Sequence, residues 1–285
     1  MNVRRVAAPA LGLLLVAGVQ QTVQIRSAGV QTLSGSAPLP DLRFGRSAAT
    51  APLGESSHPN AGGHIDLGLN FDEPPVFLAS IDESFSGFGG PNGGVFAKLT
   101  RVRDNRVSVG VNAPVDGLDW MAIAEGVHEI SGKTVVSGRE SITSSVTDIP
   151  LPQLFASPPI VLVFAEESSL GTMAWARVIR VEQDRFDVQV NAAASVVHWV
   201  ALEPGEYRSG PYRWTAGQFS GLLPIAERTF PQAFDSLPGF ITTIYDTSGS
   251  GATWCRMTDQ DNASVDLELN GVTEFVNWVA FEIDR

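Results

Sequence analysis

The sequence has few basic residues for its length. Of its 285 residues, 19 are lysine or arginine and 31 are aspartate or glutamate, which gives a formal charge of −12 at pH 7. Because contacts with nucleic-acid phosphates require a basic surface, this balance disfavours a nucleic-acid partner. The same charge disfavours adsorption to anionic lipid.

Cysteine is scarcer still. The single cysteine, Cys255, has no second thiol in the chain with which to form a disulfide. It stands in an alternating strand at a position where two other copies of the same segment, described below, have Ala97 and Ala176. We therefore interpret Cys255 as a small buried residue rather than as a nucleophile.

The sequence also lacks the common catalytic and cofactor motifs. It contains no His-Glu-x-x-His, no Gly-x-Ser-x-Gly, no phosphate-binding loop and no EF-hand pattern. Its four histidines, His58, His64, His128 and His198, fall at different points of the repeats, so no catalytic base recurs. The spacing of His58, His64 and Asp66 matches no metal-ligand motif. We predict a protein that is not an enzyme and that has no cofactor and no metal site.

What the sequence does contain is one short segment in three copies. The copies are Leu118–Ala124, Val197–Glu203 and Val276–Glu282. Their tryptophans, Trp120, Trp199 and Trp278, share one constant spacing, and so do Asn112, Asn191 and Asn270. A fixed period with preserved internal spacing indicates duplicated structural units.

Each copy of this Trp segment ends a longer unit. The unit starts with a proline-containing lead into an apolar strand, at Phe71, Phe155 and Phe234. An aromatic-led strand follows, and then a strand such as Phe186-Asp-Val-Gln-Val-Asn191, whose alternation is typical of a half-buried strand. Short strands between turns predict an all-β fold of three tandem small antiparallel β-sandwich units.

Both faces of the Trp segment are largely apolar. In the second copy, Trp199 and Ala201 oppose Val200. Because both faces require cover, we predict that one meets the unit's own second sheet and that the Trp-x-Ala face meets a neighbouring unit. Trp120, Trp199 and Trp278 are then inter-repeat packing residues, and the three units pack in a pseudo-threefold arrangement.

The N-terminal residues 1–25 predict a signal peptide. Two arginines precede a mostly apolar stretch from Val6 to Val19, and small residues follow at Ala17 and Gly18. The stretch is shorter than the roughly 20 apolar residues that span a bilayer. A retained hydrophobic arm that docks into a partner is the alternative. Residues 26–65 predict a linker or lead segment, and the repeats occupy residues 66–126, 127–205 and 206–285.

These segments resemble the H-type lectin domain family. The similarity rests on Phe155-Ala-Ser-Pro-Pro-Ile-Val-Leu162, Ala176-Arg-Val178, Arg185-Phe-Asp-Val188 and Trp199-Val-Ala-Leu202, and on their counterparts in the other copies. The resemblance implies a six-stranded antiparallel β-sandwich that assembles as a trimer and binds sugars, often N-acetylgalactosamine, at subunit interfaces. Three tandem copies then replace three chains. The family's aromatic and histidine-containing loop and its sugar-contacting arginine have no counterpart here.

Candidate carbohydrate-binding residues stand at matching points of the units. Sugar binding needs planar polar groups for hydroxyl pairs and an aromatic face. The candidates are Asp82, Glu83, Glu166, Glu167 and Asp246 at strand ends, Asn112, Asn191 and Asn270 in loops, and His198 beside Trp199. The alternative is a solvated acidic rim with asparagines in turns. Lys98, Arg177 and Arg256 share one strand position and can pair with the carboxylates.

The sequence thus predicts an exported carbohydrate-binding or adhesive protein, secreted or held at the cell surface. Repetition makes it multivalent, so that weak sites gain from avidity. The alternative is a structural component of a surface appendage or of a phage-like particle, a virion fibre or spike that uses the same fold without sugar binding. The partners are then glycans or a protein of a surface assembly, without a membrane span, and homo-oligomerisation stays open.

Overall fold

The part of the chain that the structure describes consists of strands and the turns between them. The structure is a computed structural model, and it describes residues 42–48, 63–82, 97–111, 117–167, 174–191, 194–222, 225–248, 255–269 and 273–283. These residues belong to one compact unit, Pro38–Arg285. Within them there is no helix, and so none that is long and apolar enough to cross a membrane. The predicted all-β class is confirmed, whereas the predicted signal segment lies outside the described residues.

Six strands recur in the same order in each repeat. In the first repeat they are β1 (Leu42–Ala48), β2 (Gly63–Asp66), β3 (Val76–Asp82), β4 (Ala97–Val102), β5 (Arg106–Val111) and β6 (Gly117–Ile123). In the second they are β8 (Lys133–Ser141), β9 (Val146–Pro150), β10 (Ile160–Glu167), β11 (Ala176–Val181), β12 (Arg185–Val190) and β13 (Ala194–Leu202). In the third they are β15 (Tyr212–Leu222), β16 (Ile225–Thr229), β17 (Gly239–Tyr245), β18 (Cys255–Gln260), β19 (Ser264–Leu269) and β20 (Thr273–Ile283).

Two further strands follow the first two Trp strands. β7 (Gly126–Ile130) forms a hairpin with β8, and β14 (Gly205–Ser209) forms one with β15. The first turn has positive φ at Ser131 (56°) and Gly132 (70°), and the second at Gly210 (57°). This left-handed backbone region suits glycine, which has no Cβ to clash.

Side-chain alternation fixes which face of each strand is buried. On β12, Phe186, Val188 and Val190 are buried while the residues between them stay partly exposed. The same alternation recurs on β19. The Trp strand β6 is instead buried at every position, because both of its faces are covered. The period-two pattern therefore separates the outer strands from the central ones.

The strands form three sheets, and each sheet combines strands from two repeats. Their orders are β1-β6-β3-β18-β19-β16, β2-β5-β4-β10-β13-β8-β7 and β14-β15-β20-β17-β11-β12-β9. Strands β1 and β2, which come from the predicted lead segment or its boundary, pair with β6 and β5 of the first repeat. The two three-stranded halves of one repeat thus belong to different sheets and face each other across that repeat's own core.

The sheets cross between repeats at three parallel strand pairs. β3 pairs with β18 at Asp82 and Met257, β10 with β4 at Glu166 and Leu99, and β17 with β11 at Tyr245 and Val178. These three junctions occupy equivalent positions of the repeats. They link the first repeat to the third, the second to the first and the third to the second, so the pairing closes into a cycle.

Four hydrophobic clusters form the core. Three of them are confined almost entirely to one repeat each, and they hold Trp120, Trp199 and Trp278. The fourth is shared by all three repeats and receives the alternate residues of the same strands, such as Met121 and Val200. The prediction that the Trp-x-Ala face meets a neighbouring repeat is therefore wrong. Because both faces of the Trp strand are apolar, the sequence pattern does not distinguish them.

A glycine opposite each tryptophan makes room for the indole. Gly45 pairs with Trp120, Gly138 with Trp199 and Gly217 with Trp278. A Cβ at these glycines would lie 2.3, 2.4 and 2.5 Å from the indole Cζ2 atom, closer than non-bonded carbon atoms approach. The Gly–Trp pair therefore recurs in all three repeats because the large ring lies across the neighbouring strand.

Candidate functional site

The described chain includes four of the nine candidate sugar-binding side chains. Glu83, Asn112 and Asn270 lie outside the described residues, and so do the side chains of Asp82 and Glu167. Of the rest, His198 and Glu166 form one group, whereas Asn191 and Asp246 belong to another. Each group lies where two repeats meet.

The residue before each tryptophan links its own repeat to another one. Asp119, His198 and Asn277 are fully buried at this position, and we call them the anchor residues. Each forms a hydrogen bond with the backbone of the third strand of a different repeat, on β17, β3 and β10 respectively. Buried polar groups are costly unless they are hydrogen-bonded. The anchor residues therefore hold the repeats in one order.

Asp119 anchors the first repeat to the third. Its carboxylate accepts hydrogen bonds from Arg46 Nε at 2.8 Å and Nη2 at 3.3 Å, and its Oδ2 also accepts one from the Phe240 amide at 2.8 Å. The Arg46 Nη2 also donates to the Pro238 carbonyl at 2.9 Å. One ion pair of the first repeat thus binds the third repeat's backbone at two points.

His198 anchors the second repeat to the first. Its Nδ1 is 3.2 Å from the Phe77 amide nitrogen, which is a donor, so Nδ1 is the unprotonated acceptor. The proton therefore resides on Nε2, which donates to Glu166 Oε2 at 3.2 Å. Burial lowers the pKa of His198, while the hydrogen bond to Glu166 opposes this shift. The carboxylate of Glu166, which is predicted to contact sugar, thus accepts a hydrogen bond from a buried imidazole.

Asn277 anchors the third repeat to the second, and its side chain donates the hydrogen bond to the backbone, whereas Asp119 and His198 accept one. Its Nδ2 donates to the Val161 carbonyl at 2.8 Å, and its Oδ1 accepts from Gln218 Nε2 at 2.8 Å. Gln218 stands opposite Asn277 on the neighbouring strand, as Arg46 stands opposite Asp119. The anchor residue and its strand neighbour thus change together from repeat to repeat.

We expect His198 to make stability fall in mild acid. Its folded-state pKa is lowered from 6.5, so the unfolded chain takes up the proton first as the pH falls through about 6.5. Stability is then lost from about pH 6.5 downward to the folded-state pKa, with a slope of at most about 1.4 kcal/mol per pH unit. Protonation would also place an Nδ1–H against the Phe77 amide.

Urea unfolding of wild type and His198→Asn between pH 7.5 and 5 measures this effect. The substitution puts asparagine, the third repeat's residue, at this position and removes the titrating imidazole. The free energy of unfolding of the variant should therefore depend less steeply on pH. His64→Asn is the matched control, because His64 is exposed and its Nδ1 lies 3.1 Å from the Ser108 hydroxyl. Parallel curves for wild type and His198→Asn would contradict the assignment.

The second group lies where β17 meets β11. It comprises Trp175, Arg177, Gln189, Asn191 and Asp246, which we call the Arg177 cluster. Arg177 Nη1 is 3.6 Å from Asp246 Oδ2 and its Nε donates to Gln189 Oε1 at 2.8 Å. Both members of this ion pair are almost fully buried. The predicted pairing of Arg177 with a strand-end carboxylate is thus observed between two repeats.

The outer members of the Arg177 cluster are partly exposed. The Trp175 ring lies beside the Arg177 guanidinium, whose central carbon is 5.5 Å from the ring centroid. Asn191 Oδ1 accepts a hydrogen bond from the Trp175 amide at 3.1 Å, which holds the residue in place. Burial lowers the pKa of Arg177, and the Asp246 carboxylate opposes this shift. The cluster thus presents an indole and two amide side chains around a neutralised ion pair.

This arrangement offers groups that can contact a polar ligand. An indole face suits the apolar C–H surface of a sugar ring, and side-chain amides both donate and accept hydrogen bonds. Within the described residues, no group of three or more His, Cys, Asp or Glu side chains could hold a metal ion. The available chemistry in the cluster is stacking and hydrogen bonding.

Sequence reasoning missed parts of both groups. Trp175 and Gln189 were not candidates, although Trp175 leads a strand that starts with an aromatic residue in every repeat. Asp119 and Asn277 were missed too, although they share His198's place beside a repeated tryptophan. A comparison of the same position in all three copies would have pointed to Trp175 and to the residues that precede the repeated tryptophans.

No protein-family model, no curated protein and no solved structure matches the chain.

Proposed function

We propose that the chain is a non-catalytic glycan-binding protein of the H-type-lectin kind, in which three fused repeats replace three subunits. The observation that carries this proposal is the cycle of parallel junctions between β3 and β18, β10 and β4, and β17 and β11. Equivalent pairs at equivalent positions are what three β-sandwiches around a pseudo-threefold axis would form. Closed rotational symmetry is the common arrangement of trimers.

The ligand site in this proposal is the Arg177 cluster. It lies at one of these junctions, as a sugar site between subunits would, and it offers a partly exposed indole beside amide groups. The sequence repeats an aromatic residue at Phe96, Trp175 and Trp254, and it therefore predicts a counterpart of this cluster in each repeat. Three weak sites on one rigid chain gain affinity through avidity on a glycan-coated surface.

An exported location would suit this function. The basic and apolar N-terminal segment predicts export, and glycans are displayed outside the cell. The net charge of −12 favours neutral or amino sugars over acidic glycans, because like charges repel.

The test is a glycan array with the full chain and the variant Trp175→Ala. We expect the array signal of the bound sugar to fall roughly tenfold or more, which corresponds to ~1.4 kcal/mol of lost stacking. The matched control is Leu154→Ala, which removes a side chain of the same repeat that is 67% exposed. Equal signals from Trp175→Ala and the control would place the site elsewhere.

A second function has an observation of its own. The described candidates Glu166, His198, Asn191 and Asp246 all use polar groups in bonds within the chain. Such use suits a structural component of a surface appendage or virion, with the same fold and no sugar. A blank glycan array together with recovery of the protein in purified particles would favour this function.

A further inference from the structure

Two of three equivalent strand edges are covered in the described structure. After β6 the chain turns into β7, which pairs with β8, and after β13 it turns into β14, which pairs with β15. In both cases a short strand lies between the end of one repeat's Trp strand and the first strand of the next repeat. We call β7 and β14 the covering strands. The turn after β7 contacts β14, because Ser131 Oγ accepts a hydrogen bond from the Arg208 amide at 2.8 Å.

The third equivalent edge belongs to β1. This strand pairs with β6 on one side, and no described strand pairs with its other side. Leu42 is the counterpart of Val135 and Trp214, which pair with His128 and Tyr207 on the covering strands. The Leu42 carbonyl instead accepts a hydrogen bond from the Arg43 side chain, Nη1, at 3.0 Å. A side chain thus bonds an edge atom where the other repeats have a strand.

A crevice lies at the end of the same edge. It has a volume of 260 Å³ and opens between Arg46 of β1 and the end of β20. Its lining includes Leu237 and Ile283, which are 50% and 44% exposed. At the equivalent place in the second repeat, Arg139 forms an ion pair with Glu125 at 3.3 Å, just before β7 begins. The crevice therefore lies where a third covering strand would start.

We infer that the outer edge of β1 and this crevice bind an extended segment of a partner protein. The segment adds to the sheet as a third covering strand, in the manner of β-augmentation, in which backbone hydrogen bonds give affinity and side-chain pockets give specificity. The surface is separate from the Arg177 cluster, so this inference does not depend on sugar binding.

The covering strands indicate what the partner segment looks like. Their middle residues, His128 and Tyr207, point toward the protein, and the Tyr207 ring stacks on Trp214 with centroids 4.0 Å apart. The partner should carry a large side chain at this position. Because Arg43 of β1 is the counterpart of Val136, which pairs with the outward residue Val127 of β7, an acidic residue would be favoured opposite Arg43.

The sequence before β1 favours a second molecule over a local hairpin. The residues that correspond to the turn Ser131-Gly132 are Pro38 and Leu39. Proline cannot adopt the positive φ of 56° that Ser131 has in that turn. The sequence before β1 therefore does not favour the two-residue hairpin that covers β8.

The test uses the full chain and a synthetic peptide with the sequence of residues 204–210, Pro-Gly-Glu-Tyr-Arg-Ser-Gly, which contains β14. We expect saturable binding at submillimolar peptide and slower exchange of the Phe44 amide hydrogen, by roughly tenfold or more at saturation. Phe44 is the counterpart of Ser137, which pairs with Gly126 on β7. The same peptide with alanine in place of tyrosine should bind much more weakly.

The variant Ile283→Asp places a charge at the crevice and should weaken peptide binding roughly tenfold or more. Val127→Asp is the matched control, because Val127 is an exposed apolar residue of similar size on β7. Thermal unfolding checks that both variants fold. Absence of binding at millimolar peptide, or equal binding by both variants, would overturn the inference. A concentration-dependent dimer that Ile283→Asp abolishes would assign the edge to a second copy and would overturn the partner assignment.

Discussion

Replacing Asp119 by alanine is expected to lower the free energy of unfolding by about 3–5 kcal/mol. The carboxylate is fully buried, and it accepts hydrogen bonds from Arg46 and from the Phe240 amide of another repeat. Its removal takes both carboxylate oxygens away from Arg46, whose side chain is 33% exposed, and leaves the buried Phe240 N–H without its acceptor, which is the larger cost. Urea unfolding monitored by tryptophan fluorescence measures the change.

Two further variants test the cause of the loss at Asp119. Asp119→Asn retains an oxygen that can accept from the Phe240 amide, so it should cost less than Asp119→Ala. Asp148→Ala is the matched control: Asp148 is 49% exposed on its side chain and pairs with Arg185 at 3.3 Å, a surface pair worth at most about 1 kcal/mol. If Asp119→Ala cost no more than this control, the anchor position would not hold the repeats together.

Replacing Trp278 by alanine is expected to cost a similar amount, about 3–5 kcal/mol. The indole is 1% exposed and packs against Phe219, with ring centroids 5.0 Å apart, and against Phe230 at 5.6 Å. Truncation leaves a cavity in the third repeat's own core, which the surrounding strands can fill only partly. Chemical denaturation gives the free energy, and near-ultraviolet circular dichroism reports the loss of aromatic packing.

The glycine opposite Trp278 supplies the control for this prediction. Gly217→Ala should cost about 1–3 kcal/mol by overpacking, because the new Cβ would lie 2.5 Å from the indole Cζ2. In the Trp278→Ala background the same substitution should cost little, since the ring is gone. A double-mutant cycle then gives a coupling of about 1 kcal/mol or more. Strictly additive effects would contradict the assigned contact.

The repeat and its strands could be predicted from the sequence because they depend on local patterns. The alternation around Phe186 and the apolar run around Trp199 specify strands by themselves, and the spacing of the tryptophans counts three units. The first strand, β1, was harder to recognise. Gly45, the residue of β1 that pairs with Trp120, is separated from the rest of the repeat by residues without periodicity. The segment that contains β1 was therefore assigned to a lead segment.

The site was less predictable because its side chains come from different repeats. Asp246 follows β17 while Arg177 lies on β11, and only the parallel junction brings the two together. His198 likewise accepts a hydrogen bond from the Phe77 amide of the first repeat, and nothing in its own repeat indicates that contact. A single repeat carries no information about which other repeat its strand ends will meet.

The junction between β3 and β18 has a consequence for how the protein is made. Asp82 and Met257 lie near opposite ends of the described chain, yet they are neighbours in one sheet. When the first repeat has emerged from the ribosome, β18, the strand that pairs with β3, has not yet been synthesised. Contacts between such distant positions slow folding, and unpaired strand edges invite aggregation. The nascent first repeat is therefore expected to need a chaperone's protection until translation nears its end.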